Sequence, residues 1–318
     1  MKIRELKSEE LDKYDELAAQ YGTVFHRISW LKAITNVRPL GIFNNGNELV
    51  GGLLVSEKKK FCLKILQSAD FAGAINPFYK EVTGGHVTRL EARRDIVQAI
   101  VDYIRDNKFS IVSLPLSPEM VDVLPFVWDD YKMTVRYTYR LNLMAEDPLS
   151  NVSSKMRKHL NKAEKEGLTC EKVNDMNILY KLICKTYARQ NIGFDETHVK
   201  RVLFEFANGE NSFAFAAFRE GTPIAASFVV HNGRMAHSIF SGYDSDKKSN
   251  AAGPLVRASS IRHAKEIGCK IFDFEGSVIP RIEEFFRGFG GELTPYYVAN
   301  KAWLPLEMLL KFFKRRLF

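Results

Sequence analysis

ASSIRHAKEIGCKIFDFEGS, residues 258–277, reads as a helix that passes through a glycine turn into a buried strand. EARRDIVQAIVDYIRDNKFSIVSLPLS, residues 91–117, has the same plan. Working outward, each stretch is preceded by a hairpin turned on glycine: RPLGIFNNGNELVGGLLVSEKKK at 38–60 and FAFAAFREGTPIAASFVVHNGRM at 213–235. Each is followed by a short acidic-aromatic helix: PEMVDVLPFVWDDYKM at 118–133 and VIPRIEEFFRGFGGEL at 278–293. The pieces come in one order in both halves, although few residues are identical. The pattern predicts one α/β unit built twice, each a mixed sheet with helices on both faces. It also lets each copy serve as a control for the chemistry of the other.

A chain of 318 residues is long for one core and suits two domains. MAEDPLSNV (144–152) has no periodicity and carries the best boundary signal, so the expected domains are 1–143 and 144–300. Residues 301–318 then form a separate amphipathic basic helix. A net charge of +8 favours an anionic partner without naming it. Cys62, Cys170, Cys184 and Cys269 are far apart with no C-x-x-C, the usage of free thiols in a reducing compartment. The start, MKIRELKSEELDKYDEL, has no apolar signal segment, and no run reaches ~18 apolar residues, so a cytoplasmic location is expected. There is no phosphate-binding glycine loop of the Walker type, no G-x-S-x-G and no H-E-x-x-H, and the histidines lack ligand spacing; no metal is expected.

The succession of elements, with antiparallel hairpins first and a helical crossover later, resembles the acyl-CoA-dependent N-acyltransferase (GNAT) fold. The second half is similar to the Fem-type branch of that superfamily, the peptidoglycan aminoacyltransferases and related acetyltransferases. The carrying segments are SSKMRKHLNKAEKEG (153–167), SGYDSDKKSNAAGPLVRASSIRHAKEIGCKIFDFEGS (241–277) and FFRGFGGELTPYY. The branch carries two such domains in tandem, in keeping with the repeat. Over residues 1–140 the resemblance rests on layout and on FHRISWLKA.

Four stretches could carry chemistry. In the helix 153–166, Met156, Leu160 and Ala163 form an apolar stripe opposite Lys155, Lys158, Lys162 and Lys165. Lys155, Arg157 and Lys158 are expected to meet phosphates of a donor, Arg157 above all because its guanidinium fork fits phosphate. The same pattern also describes an ordinary solvated face. In the strand CKIFDFEGS, alternation places Asp273 and Glu275 on one face, ~7 Å apart. Either carboxylate can take a proton from an attacking amine, or merely pair with an arginine. The matching strand of the first half, IVSLPLS, has neither. The loop SDKKSNAAGPL lies where the fold cradles the pyrophosphate of CoA, at a helix N-terminus. Only Gly253 remains of the expected glycines, which favours the branch that uses an aminoacyl-tRNA ester. In EEFFRGFGG, Arg287 stands where the resemblance implies a lysine facing the transferring group, and is expected to stabilise an oxyanion. Tyr187, Tyr243 and Asp244 are assigned to the acceptor site. His237 is expected opposite Phe228 as a core histidine.

The tail NKAWLPLEMLLKFFKRRLF puts Trp303, Leu306, Leu310, Phe313 and Leu317 on one stripe and Leu304, Met308 and Phe312 on a second. Lys311, Lys314, Arg315 and Arg316 crowd its end. This reads either as a helix lying on the inner face of a membrane or as one packed on the body. The expected function is acyl or aminoacyl transfer from acyl-CoA or aminoacyl-tRNA to an amine, such as that of a cell-wall precursor held in a groove between the domains. The rivals are an acetyl-CoA-dependent acetyltransferase of small amines or amino sugars, and a non-catalytic RNA- or membrane-binding protein on the same scaffold. No pattern of the sequence encodes the oligomeric state.

Overall fold

The computed structural model describes residues 1–34, 37–67, 77–190, 193, 195–247, 249–276 and 279–313. The chain forms two compact units, one of residues 1–136 and 295–318, the other of residues 137–294.

In the first unit the chain runs β1 (Lys2–Glu5), α1 (Leu11–Tyr21), α2 (Ile28–Ala33), β2 (Val37–Phe43), β3 (Leu49–Lys60), β4 (Leu63–Gln67) and β5 (Phe78–Tyr79). Then follow α3 (His86–Asp106), β6 (Ile111–Pro115), α4 (Leu124–Trp128) and the start of β7 (Lys132–Asn142). The sheet order is β1-β2-β3-β4-β6, with β4 and β6 parallel and the other neighbours antiparallel. β13 (Glu292–Ala302) closes it on β6, in register from Val298↔Pro115 to Ala302↔Ile111. The core joins Leu40, Leu53, Leu66, Ile100 and Leu114, the inward positions of strands and of α3.

In the second unit the order is α5 (Ser154–Lys165), β8 (Thr169–Lys172), α6 (Met176–Gln190), α7 (Glu196–Arg201), β9 (Ser212–Arg219), β10 (Thr222–His231) and β11 (Met235–Tyr243). α8 (Ala252–Glu266), β12 (Ile271–Asp273) and α9 (Pro280–Arg287) follow. Its sheet reads β8-β9-β10-β11-β12-β7, with β11 and β12 parallel and every other pair antiparallel. Strand order and polarity thus repeat between the units, as the doubled sequence pattern predicts. Glu220 and Gly221, at φ +50° and +72°, make the tight β9–β10 turn. α6 packs on β11 so closely that a Cβ on Gly242 would lie 2.6 Å from the Leu182 backbone.

Several expectations are corrected. The division falls at Arg136/Tyr137, inside β7 and not at 143/144, because residues 140–142 of β7 pair with β12. Residues 295–318 belong to the first unit, because β13 bonds β6, and α10 (Leu304–Phe313) continues from it. The strand expected over 269–276 ends at Asp273. The helix expected near 118–130 is confined to α4, whose Pro125 sits in the first turn. Lys314, Arg315, Arg316 and Leu317 of the tail and Lys248 of the loop before α8 lie outside the described residues, as does the side chain of Phe313.

Candidate active site

β11 and β12 run side by side for three residues only, Met235↔Ile271 to His237↔Asp273. Beyond His237, β11 continues along β10 as far as Tyr243↔Ala225, while β12 has ended. Among the described residues, no strand covers the other edge of β11 over residues 238–243. A bulge between Phe228 and Val229 lies where β11 leaves β12, and such bulges bend and re-aim a strand. The result is a sheet opened from within, with backbone amides along one side of the opening. An extended ligand can bond there as an added strand would.

A polar cluster stands at the point of divergence. Asp273, 4% exposed, accepts from Thr138 Oγ1 at 2.6 Å and from Arg140 Nε at 2.8 Å, both on β7. It also accepts from the backbone N–H of Glu275 at 2.8 Å. Two cross-strand donors and one local donor therefore satisfy a carboxylate that burial would otherwise penalise. Glu275 lies beyond the strand at φ +62°, a left-handed conformation costly for any residue but glycine. Gly276 follows at φ +69°, and a Cβ there would meet the carbonyl oxygen of Tyr137 at 2.4 Å. This double left-handed turn carries the Glu275 carboxylate to buried His237, whose Nδ1–H donates to Oε1 at 2.6 Å. The Glu275 side chain keeps 33% of its surface exposed. It can therefore reach a ligand while the ring fixes its position.

The first unit supplies the control. Register makes Gln67, Ser113 and Asn300 the counterparts of His237, Asp273 and Arg140. There Ser113 Oγ donates to Asn300 Oδ1 at 2.9 Å, and Asn300 Nδ2 donates to Thr134 Oγ1 at 3.2 Å. The same three positions are polar in both copies, but only the second copy makes them acid, base and cation. His237, Asp273 and Glu275 bring ligand-type atoms within 4.8 Å, a spacing that also suits a cation. Arg140 already supplies positive charge to Asp273, and the carboxylate is occupied by three donors, Thr138, Arg140 and the Glu275 N–H.

Of the residues singled out from sequence, Asp273 and Glu275 come together, though by the turn rather than by strand alternation. His237, expected opposite Phe228, pairs with Val230 because the β10–β11 loop is wider than a two-residue Asn232-Gly233 turn, with His231 opposite Ala236. Arg287 is on the exposed side of α9 with Nε 3.0 Å from Glu283 Oε1. That carboxylate also accepts from Tyr139 OH at 2.6 Å, and these donors hold it below the usual range. On α5 the apolar stripe docks as expected, with Met156 and Ala163 buried. Lys155 reaches Glu284 at 2.8 Å, Arg157 Nη2 donates to the Ser150 carbonyl at 3.3 Å, and Lys158 is exposed. Gly253 is in the first turn of α8, where a Cβ would meet nothing within 4 Å. Asp244 is buried against Lys185 at 2.6 Å, which lowers its pKa, and Tyr243 OH donates to the Ser249 carbonyl at 2.6 Å. Both therefore brace the loop before α8. Tyr187 is half-buried on α6, and that burial raises the pKa of its phenol. Sequence reasoning passed over Thr138 and Arg140, whose signal was polar alternation in TVRYTYRLNL.

Residues 150–286 match the family model for the acetyltransferase (GNAT) domain. Most of the second unit is thus similar to a GNAT-type acetyltransferase domain. Solved structures extend the likeness over the whole chain. FemX superposes with a TM-score of 0.70 at 11% identity, covering 98% of this chain and 100% of that one. The C-terminal domain of a putative lysylphosphatidylglycerol synthetase from Agrobacterium fabrum gives 0.64 at 12% identity, covering 95% of each. L-PGS from Bacillus licheniformis gives 0.58 at 12%, covering 96% of each. At these identities the likeness is one of fold. No curated protein matches the sequence.

Proposed function

We propose that the second unit transfers an acyl or aminoacyl group from an activated ester or thioester to an amine, with the donor held along the open edge of β11. The observation that carries this reading is the Glu275–His237 pair at the mouth of that opening. A neutral amine attacks the donor carbonyl. Its proton passes to the Glu275 carboxylate, a C–N bond forms, and the C–O or C–S bond to the leaving group breaks. The leaving alkoxide or thiolate takes that proton from the Glu275 carboxyl, which returns the carboxylate to its starting state and balances charge and atoms. His237 holds the base in place, and Asp273, tied to β7, holds the turn that presents it. Open-edge N–H groups of β11 suit the oxyanion.

Between donors, the site favours an aminoacyl-tRNA ester over acyl-CoA. The loop before α8 is tied down by Glu166, whose carboxylate accepts from Ser249 Oγ at 2.8 Å and Arg219 Nη2 at 2.6 Å. Glu166 thereby occupies the hydroxyl and the guanidinium that a pyrophosphate would otherwise use at this loop. Lys155, Arg157 and Lys158 line an exposed helix suited to a nucleic-acid backbone. We also propose contact with the inner face of a membrane through Trp303 and α10, where Leu304, Met308 and Phe312 are exposed, Phe312 to 87%. No helix among the described residues is long and apolar enough to cross a membrane. The acceptor would then be an amine presented near a lipid surface, as in a lipid-linked cell-wall precursor. The test offers radiolabelled acetyl-CoA and, separately, a mixed pool of radiolabelled aminoacyl-tRNA, each with a panel of amines. Label moving from the tRNA pool to an amine is expected. Tight stoichiometric binding of acetyl-CoA by titration calorimetry overturns the choice of donor, and no transfer from either donor overturns the activity.

A further inference from the structure

Behind the open edge of β11 lies a charge that the acid–base cluster does not use. Arg257, on α8, is 4% exposed. Its Nη1 donates to Ser238 Oγ and its Nη2 to Ser241 Oγ, the latter at 2.8 Å. Nε is buried with no partner among the described residues. The rings of Phe272, Phe274 and Phe286 surround the guanidinium, with centroids 5.8, 5.8 and 6.0 Å from its central carbon. Among the described residues no carboxylate bonds it. Burial pushes its pKa down to about 10, which leaves it cationic at neutral pH. Aromatic faces and two hydroxyls soften the isolation of this charge but do not neutralise it.

The fold does not require an arginine at this position. Four residues separate α3 from β6 and α8 from β12, so the two helices align by counting back from their strands. Val97 of α3 then stands where Arg257 stands in α8. The flanking pairs Ile96/Val256 and Ile104/Ala264 are buried in both. One copy of the unit thus closes this position with a valine, and the copy with the acid–base cluster buries a cation in it.

We propose that Arg257 receives a carboxylate carried by the substrate, either on the transferred group or on the acceptor, bound against the open edge of β11. The side-on fork of a guanidinium, Nε with Nη2, is the pair of donors that binds a carboxylate through both oxygens. In Arg257 the Nε is unused and Nη2 is held by the hydroxyl of Ser241, an exposed residue. A carboxylate that displaces the exposed Ser241 hydroxyl completes the fork. A single guanidinium supplies one positive charge, which matches a carboxylate and leaves a phosphate dianion half-compensated in a buried site. The proposal rests on the reading of that edge as the substrate site, but its test needs no transfer.

Thermal unfolding of the full chain is followed with acetate, succinate, inorganic phosphate or chloride at one ionic strength, for wild type and for Arg257→Val. The expected result is that the carboxylates raise the wild-type Tm above the chloride value while the variant does not respond. The variant should melt no lower than wild type in chloride, and up to about 4 °C higher, because an uncompensated charge has gone. An equal carboxylate shift in the variant, no shift in wild type, or a larger shift with phosphate overturns the proposal. A variant that does not fold overturns it too, because the charge would then belong to the core. On wild type alone, the ¹⁵N signal of the Arg257 Nε–H must move on adding acetate; a signal that stays still contradicts the assignment.

Discussion

At residue 275 the usual ranking of alanine and glycine should reverse. Glu275 is held at φ +62°, and its carboxylate bonds His237 at 2.6 Å. Glu275→Ala and Glu275→Gly both delete that bond, which at a third exposure is worth about 1 kcal/mol. Alanine keeps the left-handed strain, about 1–2 kcal/mol for an L-residue, whereas glycine relieves it. Glycine adds about 0.5–1 kcal/mol of unfolded-chain entropy, so the glycine variant should exceed the alanine variant by roughly 0.5–1 kcal/mol. For a unit of this size that separates their melting temperatures by about 1–4 °C. Calorimetry of the two purified variants, with the second unit's transition resolved from the first, measures it. Both variants should lose transfer activity, so the glycine form recovers stability without recovering function, the mark of strain kept for chemistry. An alanine variant as stable as the glycine variant refutes the assigned backbone strain. A glycine variant with wild-type activity refutes the role of the side chain.

Asp273→Asn should cost about 3 kcal/mol in denaturant unfolding, because it leaves the Arg140 guanidinium without its buried counter-charge; a loss under about 1 kcal/mol would show that solvent reaches the pair. Burial holds the His231 ring at about 4, below the ordinary value near 6.5. Above pH 6.5 the ring is neutral folded and unfolded, and as pH falls from 6.5 to 4 the unfolded chain takes a proton that the fold refuses. Stability then drops by about 2–3 kcal/mol. His231→Gln should flatten this limb of the pH–stability curve, and an unchanged limb contradicts the assignment. Phe312→Glu should weaken co-sedimentation with anionic phosphatidylglycerol vesicles several-fold while leaving neutral phosphatidylcholine vesicles unbound; equal pelleting of variant and wild type excludes α10 as the contact.

The doubled architecture was legible because it rests on periodicity: 91–117 and 258–277 both change from helical to strand spacing after a short turn. The boundary was not. β7 reads as one alternating strand, and nothing in TVRYTYRLNL says that its later residues pair with a strand about 130 positions on. Asp273 and Glu275 stood out as carboxylates in an apolar run, and the lack of any carboxylate in IVSLPLS directed attention to the second half. The route that joins Glu275 to the site was hidden, since it needs a left-handed glutamate. His237 was set aside as a core histidine because a two-residue turn put it opposite Phe228 on an apolar face, and local sequence does not fix the wider loop that pairs it with Val230. Arg257 carried a signal that can be read in hindsight, a charge on the buried stripe shared by Val256, Ile261 and Ala264. The basic face of α5 was read correctly as a face, and its periodicity carries nothing about which lysine meets a ligand and which meets Glu284.

The most direct measurement is a crystal structure of the second unit's site, in the full chain, with a stable amide analogue of an aminoacyl-adenosine ester. The account predicts the acyl carbon at the open edge of β11, with the Glu275 carboxylate within one water or one hydrogen bond of the path of the attacking amine. An analogue bound elsewhere, or a Glu275 carboxylate turned away from it and still sealed against His237, would contradict the account.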